Sequence, residues 1–562
     1  MTWNSISIDQ SFKKLITTLI VFPIALLTLG IYHGLIQVLY RSGVIQSNSF
    51  LGLEYYQGLT LHGVINAVVF TTFFAVAFGH AVILYFLRMG ISKVWAWVSC
   101  WLMLIGTAMA AYAMLSGKAS VLYTFYPPLK ADPSFYIGAT LLVVGSWIAF
   151  FSWIPAYLKW RKANPGQKTP MAVVGIFTTF IVWLFATLPL AVEAIFMLIP
   201  WSLGLVSEIH VPLARTLFWF FGHPLVYFWL LPAYTMYYSM LPEVAGGKLY
   251  SDYAGRLAFM LFIVFSAPIG LHHQYADPAI SSSWKWIHGM GTFVVALPSF
   301  ITAFTLAASL EFAARQRGGR GLFAWWGKLP YWEEKRWLFP YFFVGLVLFL
   351  YGGITGIINA SVSMNNVVHN TSWVPGHFHT TVGGPVFLAF CGMSLFLITK
   401  ILGKQLRFPR AAMAFPYLWI VGIMAFSLPM ALSGLMGEPR RTNMGLSFTN
   451  PDSPLYNAAW ALINKVTILG GVTMTVASIC FFVAFFGTLF SRKTSEQSLE
   501  FPVAQALHDE PAGILMNFKP WIIFGVLAFG LAYTPPLLNI NKGTFNKAPA
   551  YTPDSPLPVQ KR

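Results

Sequence analysis

Charge is what this chain has least of. Asp, Glu, Lys and Arg make up only 9% of its 562 residues, whereas 57% are hydrophobic, and the mean hydropathy is +0.65. Soluble domains carry about 25% charged residues, so a large water-soluble globule is excluded. Cysteine is nearly absent too. Cys100, Cys391 and Cys480 fall inside apolar runs and form no CxxC pair, which excludes a disulfide framework or a thiolate metal site and leaves three packing residues. Internal repeats, low-complexity segments and a soluble domain are also lacking. The first apolar run is long and has no convincing small-residue cleavage site, so a cleavable signal peptide is not expected.

Long apolar runs are what the sequence has instead. About thirteen are long enough to span a bilayer, roughly at 15–40, 60–88, 93–115, 135–159, 171–200, 208–240, 257–281, 285–312, 337–362, 374–401, 411–436, 463–492 and 518–540. Most of the 35 lysines and arginines sit in connections that are internal if the N-terminus is inside, as the positive-inside rule requires. The formal charge of +17 is therefore topological, and no nucleic acid partner is expected. Twenty-one Trp and 24 Tyr suit the aromatic belts of bilayer interfaces. The expectation is an all-α polytopic membrane protein of about 13 transmembrane helices, N-terminus inside and C-terminus outside, surrounded by membrane lipid. It forms a single membrane domain over 1–562, whose Pro-rich segment 541–562 is an extended or disordered outer tail.

Twelve histidines can be given a depth on this frame. His377 and His379 lie near the outer end of the tenth run, His62 near the outer end of the second, and His272 and His273 towards the outer end of the seventh. His223 is about halfway down the sixth. In a helix, positions i and i+2 point about 200° apart, so His377 and His379 serve different partners on opposite sides. Adjacent His272 and His273 reach one ion only beside a helix irregularity, which Pro268 and Gly270 can supply. Three imidazoles with an open position suit copper or zinc. His223 and Tyr227, four apart, share a helix face, and Gly63 would let a planar group approach the backbone beside His62. A lone buried histidine is usually a hydrogen-bonded core residue, but six at matching depth in two unusual spacings are not explained that way. His33, His80, His210, His288, His369 and His508 mostly fall near interfaces.

Together, His62, the His223-Pro-x-Val-Tyr227 run, His272-His273 and His377-Phe-His379 resemble subunit I of the haem–copper oxidases, and the resemblance covers the whole hydrophobic chain in order. It implies that His62 and His379 are the axial ligands of a low-spin haem (haem b) and that His377 is the proximal ligand of a high-spin haem of a or o type. It implies further that His223, His272 and His273 hold copper B, with Tyr227 covalently linked to His223 and Phe378 between the haems. The main branch of the family has a Glu directly after His-Pro where this chain has Leu225. The runs around His223 and His272 look like the B-type, ba3-type branch, in which a Tyr/Thr/Ser track carries protons. The matching positions are Tyr234 and Tyr238 on the sixth helix and Thr292, Ser299, Thr302 and Thr305 on the eighth.

On the outer side, Arg440 and Arg441 match the arginine pair that binds haem propionates, and paired guanidiniums suit carboxylates. Asn365, Asn366 and His369 fall in the same propionate region. Arg215 and Asp277 lie at similar depth with opposite charge, and an unpaired arginine there is costly, so they are expected to form an ion pair.

The resemblance implies a proton-translocating terminal oxidase of the respiratory chain, a cytochrome c oxidase in a bacterial or archaeal plasma membrane that reduces O2 to water. This chain lacks the two-cysteine motif of a copper A centre, so a subunit II carrying one is implied as partner, with cytochrome c as donor and quinol as the alternative. A nitric oxide reductase-like enzyme would need carboxylates near the non-haem metal. A secondary transporter with a histidine relay explains the hydropathy but not two opposed histidines.

Overall fold

A computed structural model describes residues 4–45, 53–540 and, for the backbone, 547–548. Apart from those last two residues, the expected tail over 541–562 lies outside the described residues. Thirteen principal helices follow one another: α1 (Gln10–Arg41), α2 (Tyr55–Leu87), α3 (Lys93–Leu115), α4 (Pro133–Ala163), α5 (Met171–Ser202), α6 (Val211–Ser239), α7 (Asp252–Phe265), α8 (Ser282–Gln316), α9 (Phe339–Ala360), α10 (Trp373–Leu402), α11 (Pro409–Leu435), α12 (Ala458–Leu489) and α13 (Phe518–Ile540). All except α7 are long and apolar enough to cross a membrane.

The seventh expected span, 257–281, is not one helix. The α-helix covers only 14 residues, about 21 Å at 1.5 Å per residue, against a hydrocarbon core of about 30 Å. It stops ahead of Pro268, which has no N–H to continue the ladder. The chain then makes a 3-10 turn over Gly270–Gln274 that carries His272 and His273. The segment still leads from one face of the bundle to the other. Leu249–Ser251 pairs in parallel with Ala506–His508, and Tyr250 N donates to Ser309 Oγ near the end of α8, so α8 finishes on the face where α7 starts. That face also holds the N-terminus, since Ile6 bridges Leu499. Ile209–His210, at the opposite end of α6, pairs with Lys547–Ala548. The two described ends of the chain therefore lie on opposite faces, as thirteen crossings require.

Helices α2, α5, α6 and α10 form the interior, with apolar windows 83%, 89%, 78% and 83% buried, against 22% for the peripheral α13. Three of these four carry the histidines of interest. Large apolar side chains such as Phe196, Phe304 and Leu531 point outward, where lipid satisfies them. Close helix pairing uses small residues, as is common in membranes. A Cβ on Gly106 of α3 would fall 2.4 Å from the Gly138 carbonyl oxygen of α4, and the reverse holds equally. Single π-helical turns interrupt α2 at Val64–Val69 and α10 at Val382–Val386, just after His62 and His379. Such turns are frequent at functional sites.

Exposed Asp452 and Glu496 flank α12 on opposite faces. With the N-terminus inside, a cysteine placed at D452C reacts with a membrane-impermeant maleimide in intact cells, and E496C reacts only after permeabilisation. Equal labelling of both would refute this topology.

Candidate metal centres

The six singled-out histidines meet in two adjoining chambers. The first is a cavity of about 270 Å³ lined mostly by apolar side chains of α1, α2, α10, α11 and α12. His62 and His379 face each other across it, with ring centroids 6.2 Å apart and ring planes within 18°. Two imidazole–metal bonds of about 2 Å each, plus the ring radii, fill that separation. His62 Nδ1 donates to the Gly30 carbonyl at 2.8 Å and His379 Nδ1 to the Pro375 carbonyl at 2.7 Å, which leaves Nε2 of each as the ligand atom. The His62 ring lies against α1 because Gly34 has no side chain: a Cβ there would sit 2.8 Å from His62 Cε1. Gly63 lines this cavity, and a Cβ added there would meet Tyr123 Cβ at 3.0 Å and its ring at 3.2 Å. Its place in the lining is where a planar group beside His62 would approach the backbone.

The second chamber, of about 370 Å³, is lined by His223, Tyr227, His272, His273 and His377. One ligand atom from each of His223, His272 and His273 lies within 4.8 Å of the others, and His223 Nδ1 is 3.0 Å from His273 Nε2. The 3-10 turn after α7 is what brings two adjacent histidines to one point. The other His223 nitrogen, Nε2, faces Tyr227 Oη at 3.1 Å. Two threonines fix the remaining rings. Thr292 Oγ1 donates to the His288 carbonyl and accepts from His272 Nδ1, both at 2.8 Å. Thr355 Oγ1 donates to the Gly352 carbonyl and accepts from His377 Nδ1, both at 2.9 Å. Each frees a ring Nε2. The donor set fits copper on the triad and haem iron on His377. Phe378, Tyr123, Val374 and Arg440 border both chambers.

Arg440 and Arg441 cap this wall from the loop after α11. Arg440 is pushed down to about 9 by burial and then by the neighbouring Arg441, and its Nε has no protein partner. Arg441 reaches Thr124 Oγ1 at 3.2 Å. Arg440 Nη2 donates to Asn370 Oδ1 at 3.4 Å, and a half-buried guanidinium with a free Nε is a place for an anion. Asn365 and His369 also border the second chamber, with His369 Nδ1 3.1 Å from Asn365 Oδ1. The expected ion pair is present and bidentate: Arg215 Nε and Nη2 reach Asp277 Oδ2 and Oδ1 at 3.1 and 2.9 Å.

Along the facing sides of α6 and α8, Tyr234 Oη donates to Ser299 Oγ at 3.3 Å and Tyr238 Oη to Thr302 Oγ1 at 2.9 Å. Thr302 and Thr305 give their own hydrogens to the carbonyls of Pro298 and Ile301, as hydroxyls in membrane helices commonly do. Thr292 stands at the histidine end, bonded to His272.

Sequence reasoning missed Thr355, which meets His377 across two helices with no local signal. It also missed Trp219, stacked on His273 at 3.9 Å, although Trp219 lies four residues before His223 and shares its face. His33, His80 and His288, among the histidines not assigned to a metal, are buried within the bundle. His80 and His288 are hydrogen-bonded core residues.

A bundle that opposes two imidazoles across one cavity and gathers three in the next is a redox metalloprotein of the membrane. Residues 14–473 match the family model for cytochrome c and quinol oxidase polypeptide I. The chain is 41% identical over 510 residues to cytochrome c oxidase subunit 1 of Thermus thermophilus, covering 89% of this chain and 88% of that one. It is 26% identical to the Cereibacter sphaeroides subunit 1 over 410 residues, 69% and 66% of the two chains. A chain from a haem–copper terminal oxidase dimer solved by cryo-EM superposes with TM-score 0.95 at 50% identity, over 98% of this chain and 96% of its own. The chain belongs to the cytochrome c and quinol oxidase polypeptide I family, the subunit I of haem–copper oxidases, and is a multi-pass membrane protein.

Removing an outer hydrogen bond to a metal ligand typically costs 10–100-fold in affinity or activity. T355V is expected to lower occupancy or turnover by about that factor while leaving the His62/His379 absorption unchanged; full turnover would show that Thr355 does not orient His377. Exchanging Arg215 and Asp277 is expected to preserve turnover better than neutralising either one.

Proposed function

We propose that the chain is the catalytic subunit of a B-type cytochrome c oxidase that reduces O2 to water and couples this to proton translocation. The observation that carries the proposal is the His223–His272–His273 triad directly beside His377 in one chamber. His62 and His379 would hold a low-spin haem b, His377 a high-spin haem of a or o type, and the triad copper B. When bound, the haem iron and copper supply the electron chemistry that O2 reduction needs.

The chain's own residues do the rest. His62 and His379 together would hold the first group, which would then serve as an electron relay. His377 alone would hold the second group, which would leave room for O2 on the side of the triad. Phe378 packs between the chambers and keeps them at fixed separation. Tyr227 holds a proton at Oη within 3.1 Å of His223, where it can deliver a proton and an electron to the O2 side. Tyr238, Thr302, Tyr234, Ser299 and Thr292, with Thr305 at the inner end, provide the proton path, joined by bridging waters between the direct pairs. Arg440 and Arg441, with His369 and Asn365, would receive the haem propionates, and Arg215–Asp277 would brace them. Electron entry requires a subunit II with copper A, and cytochrome c is the proposed donor. The basic side of the bundle faces the cytoplasm, and 1–562 acts as one membrane domain.

Among the described residues, no carboxylate joins the triad, which disfavours the nitric oxide reductase reading. The transporter reading leaves the opposed His62 and His379 without a role.

Y227F is expected to keep the haem absorption nearly intact and to abolish O2 consumption, as followed with an oxygen electrode. Wild-type O2 consumption by this variant would remove Tyr227 from the mechanism. Pyridine haemochrome analysis with copper quantification should return two haems and one copper held by this chain.

A further inference from the structure

A buried ion pair beside the first chamber has no part in the account above. Glu438, in the loop between α11 and α12, is 1% exposed. Its Oε1 accepts from Arg41 Nη2 at 2.7 Å and from Asn464 Nδ2 at 2.8 Å. Arg41 ends α1, and both Arg41 and Asn464 line the cavity that His62 and His379 face. The same guanidinium reaches the Pro439 carbonyl at 3.2 Å and Ser372 Oγ at 3.4 Å. Ser372 N in turn donates to the Glu438 carbonyl at 2.8 Å, just ahead of the helix that carries His377 and His379.

The side chain is more than a hydrogen-bond acceptor for the loop. Its second oxygen, Oε2, is buried with no partner, so the site bears the cost of a carboxylate without satisfying both its oxygens. Three guanidiniums, Arg41, Arg440 and Arg441, border this cavity. Among the described residues, Glu438 is the carboxylate paired with one of them.

We propose that Glu438 sets the reduction potential of the group held by His62 and His379, by cancelling the charge of Arg41 at the cavity wall. The inference rests on the low-spin haem reading of that cavity. Reduction adds one electron to the bound group, and a lone guanidinium at the wall favours the added charge. In a protein interior that attraction persists over about 10 Å. Paired with Glu438, Arg41 presents a dipole, and the pull is reduced. Without the carboxylate, the relay would retain its electron rather than pass it across Phe378. Glu438 acts through Arg41 and touches no reacting atom, so it is a positioning residue.

Potentiometric titration of the purified holoenzyme, followed at the low-spin absorption band, tests this. E438Q keeps the shape and an acceptor oxygen for Arg41 and Asn464 while removing the charge. Its low-spin midpoint is expected to rise, with the ratio of reduced to oxidised haem at fixed ambient potential increasing roughly tenfold, and with a smaller shift at the high-spin haem. The double variant R41Q/E438Q, which restores the charge balance, is expected to return to the wild-type midpoint. An unshifted midpoint in E438Q with an intact low-spin band overturns the proposal, as does a double variant displaced as far as E438Q. If E438Q fails to assemble, the double variant alone decides: a wild-type midpoint supports the proposal and a displaced one overturns it. Absence of a bis-imidazole haem band in the unmodified enzyme would instead remove the function on which the proposal rests.

Discussion

A histidine inside a membrane helix bundle has little water to take its ring hydrogen, so at each of the metal-facing rings below a protein group supplies the acceptor. That acceptor decides which nitrogen is left for a metal. His62 uses the Gly30 carbonyl of a neighbouring helix, and His379 uses the Pro375 carbonyl one turn back on its own. His272 and His377 use threonine hydroxyls that pass their own hydrogens to helix carbonyls. In all four the Nδ1 hydrogen is held and Nε2 is free. His223 differs: both its nitrogens face other side chains of the site, Nδ1 towards His273 and Nε2 towards Tyr227. His223 is therefore the ring placed between another member of the triad and the tyrosine. The rest of the arrangement depends on these assignments, because a ring turned by one tautomer would present a hydrogen where a ligand lone pair is needed.

The local conformation follows from the same need for direction. Regular helix geometry sends neighbouring side chains about 100° apart, and His272-His273 breaks that rule only because the helix has ended at Phe265. A sequence of Pro268 and Gly270 just outside the last helical turn makes the ending cheap. In α10 regular geometry is what the site uses instead, since His377 and His379 must point apart. The π-helical turn comes after them, at Val382–Val386, and leaves their relative direction intact. One helix is broken to converge two imidazoles, and another is kept regular to separate two.

These contrasts also explain what could be read from the sequence. Crossings, the depth of His62, His223 and His377, and the pairing of Arg215 with Asp277 depend on hydropathy, rise per residue and charge at a given depth, which are local quantities. The shortened α7 was legible only as a possible irregularity, since a Pro-Gly stretch in an apolar run does not state where the helix stops. Thr355 and Gly34 were not legible at all. Each earns its place through a neighbour on another helix, and a threonine or glycine in an apolar run carries no mark of what packs against it. Gly63 is legible only in part: its position beside His62 puts it in the cavity wall, but the neighbouring Tyr123 comes from the loop before α4.

Charge placement completes the separation between the two chambers. At the outer end Arg440 borders both cavities and Arg441 the first, and Arg440 is held below its ordinary range by burial and by its neighbour. Such a pair is stable only with anions near it, and an anionic group entering there regains the Coulomb energy that desolvation removed. The interior between α6 and α8, by contrast, has hydroxyls and no formal charge at the positions from Tyr234 to Thr305. If these hydroxyls carry protons as proposed, a neutral track would let a proton approach the triad without placing a permanent charge beside it. In the proposed reading, the arginines at the outer end would hold cofactors and the uncharged hydroxyls along the inner half would carry protons, so the two tasks would be kept apart by depth.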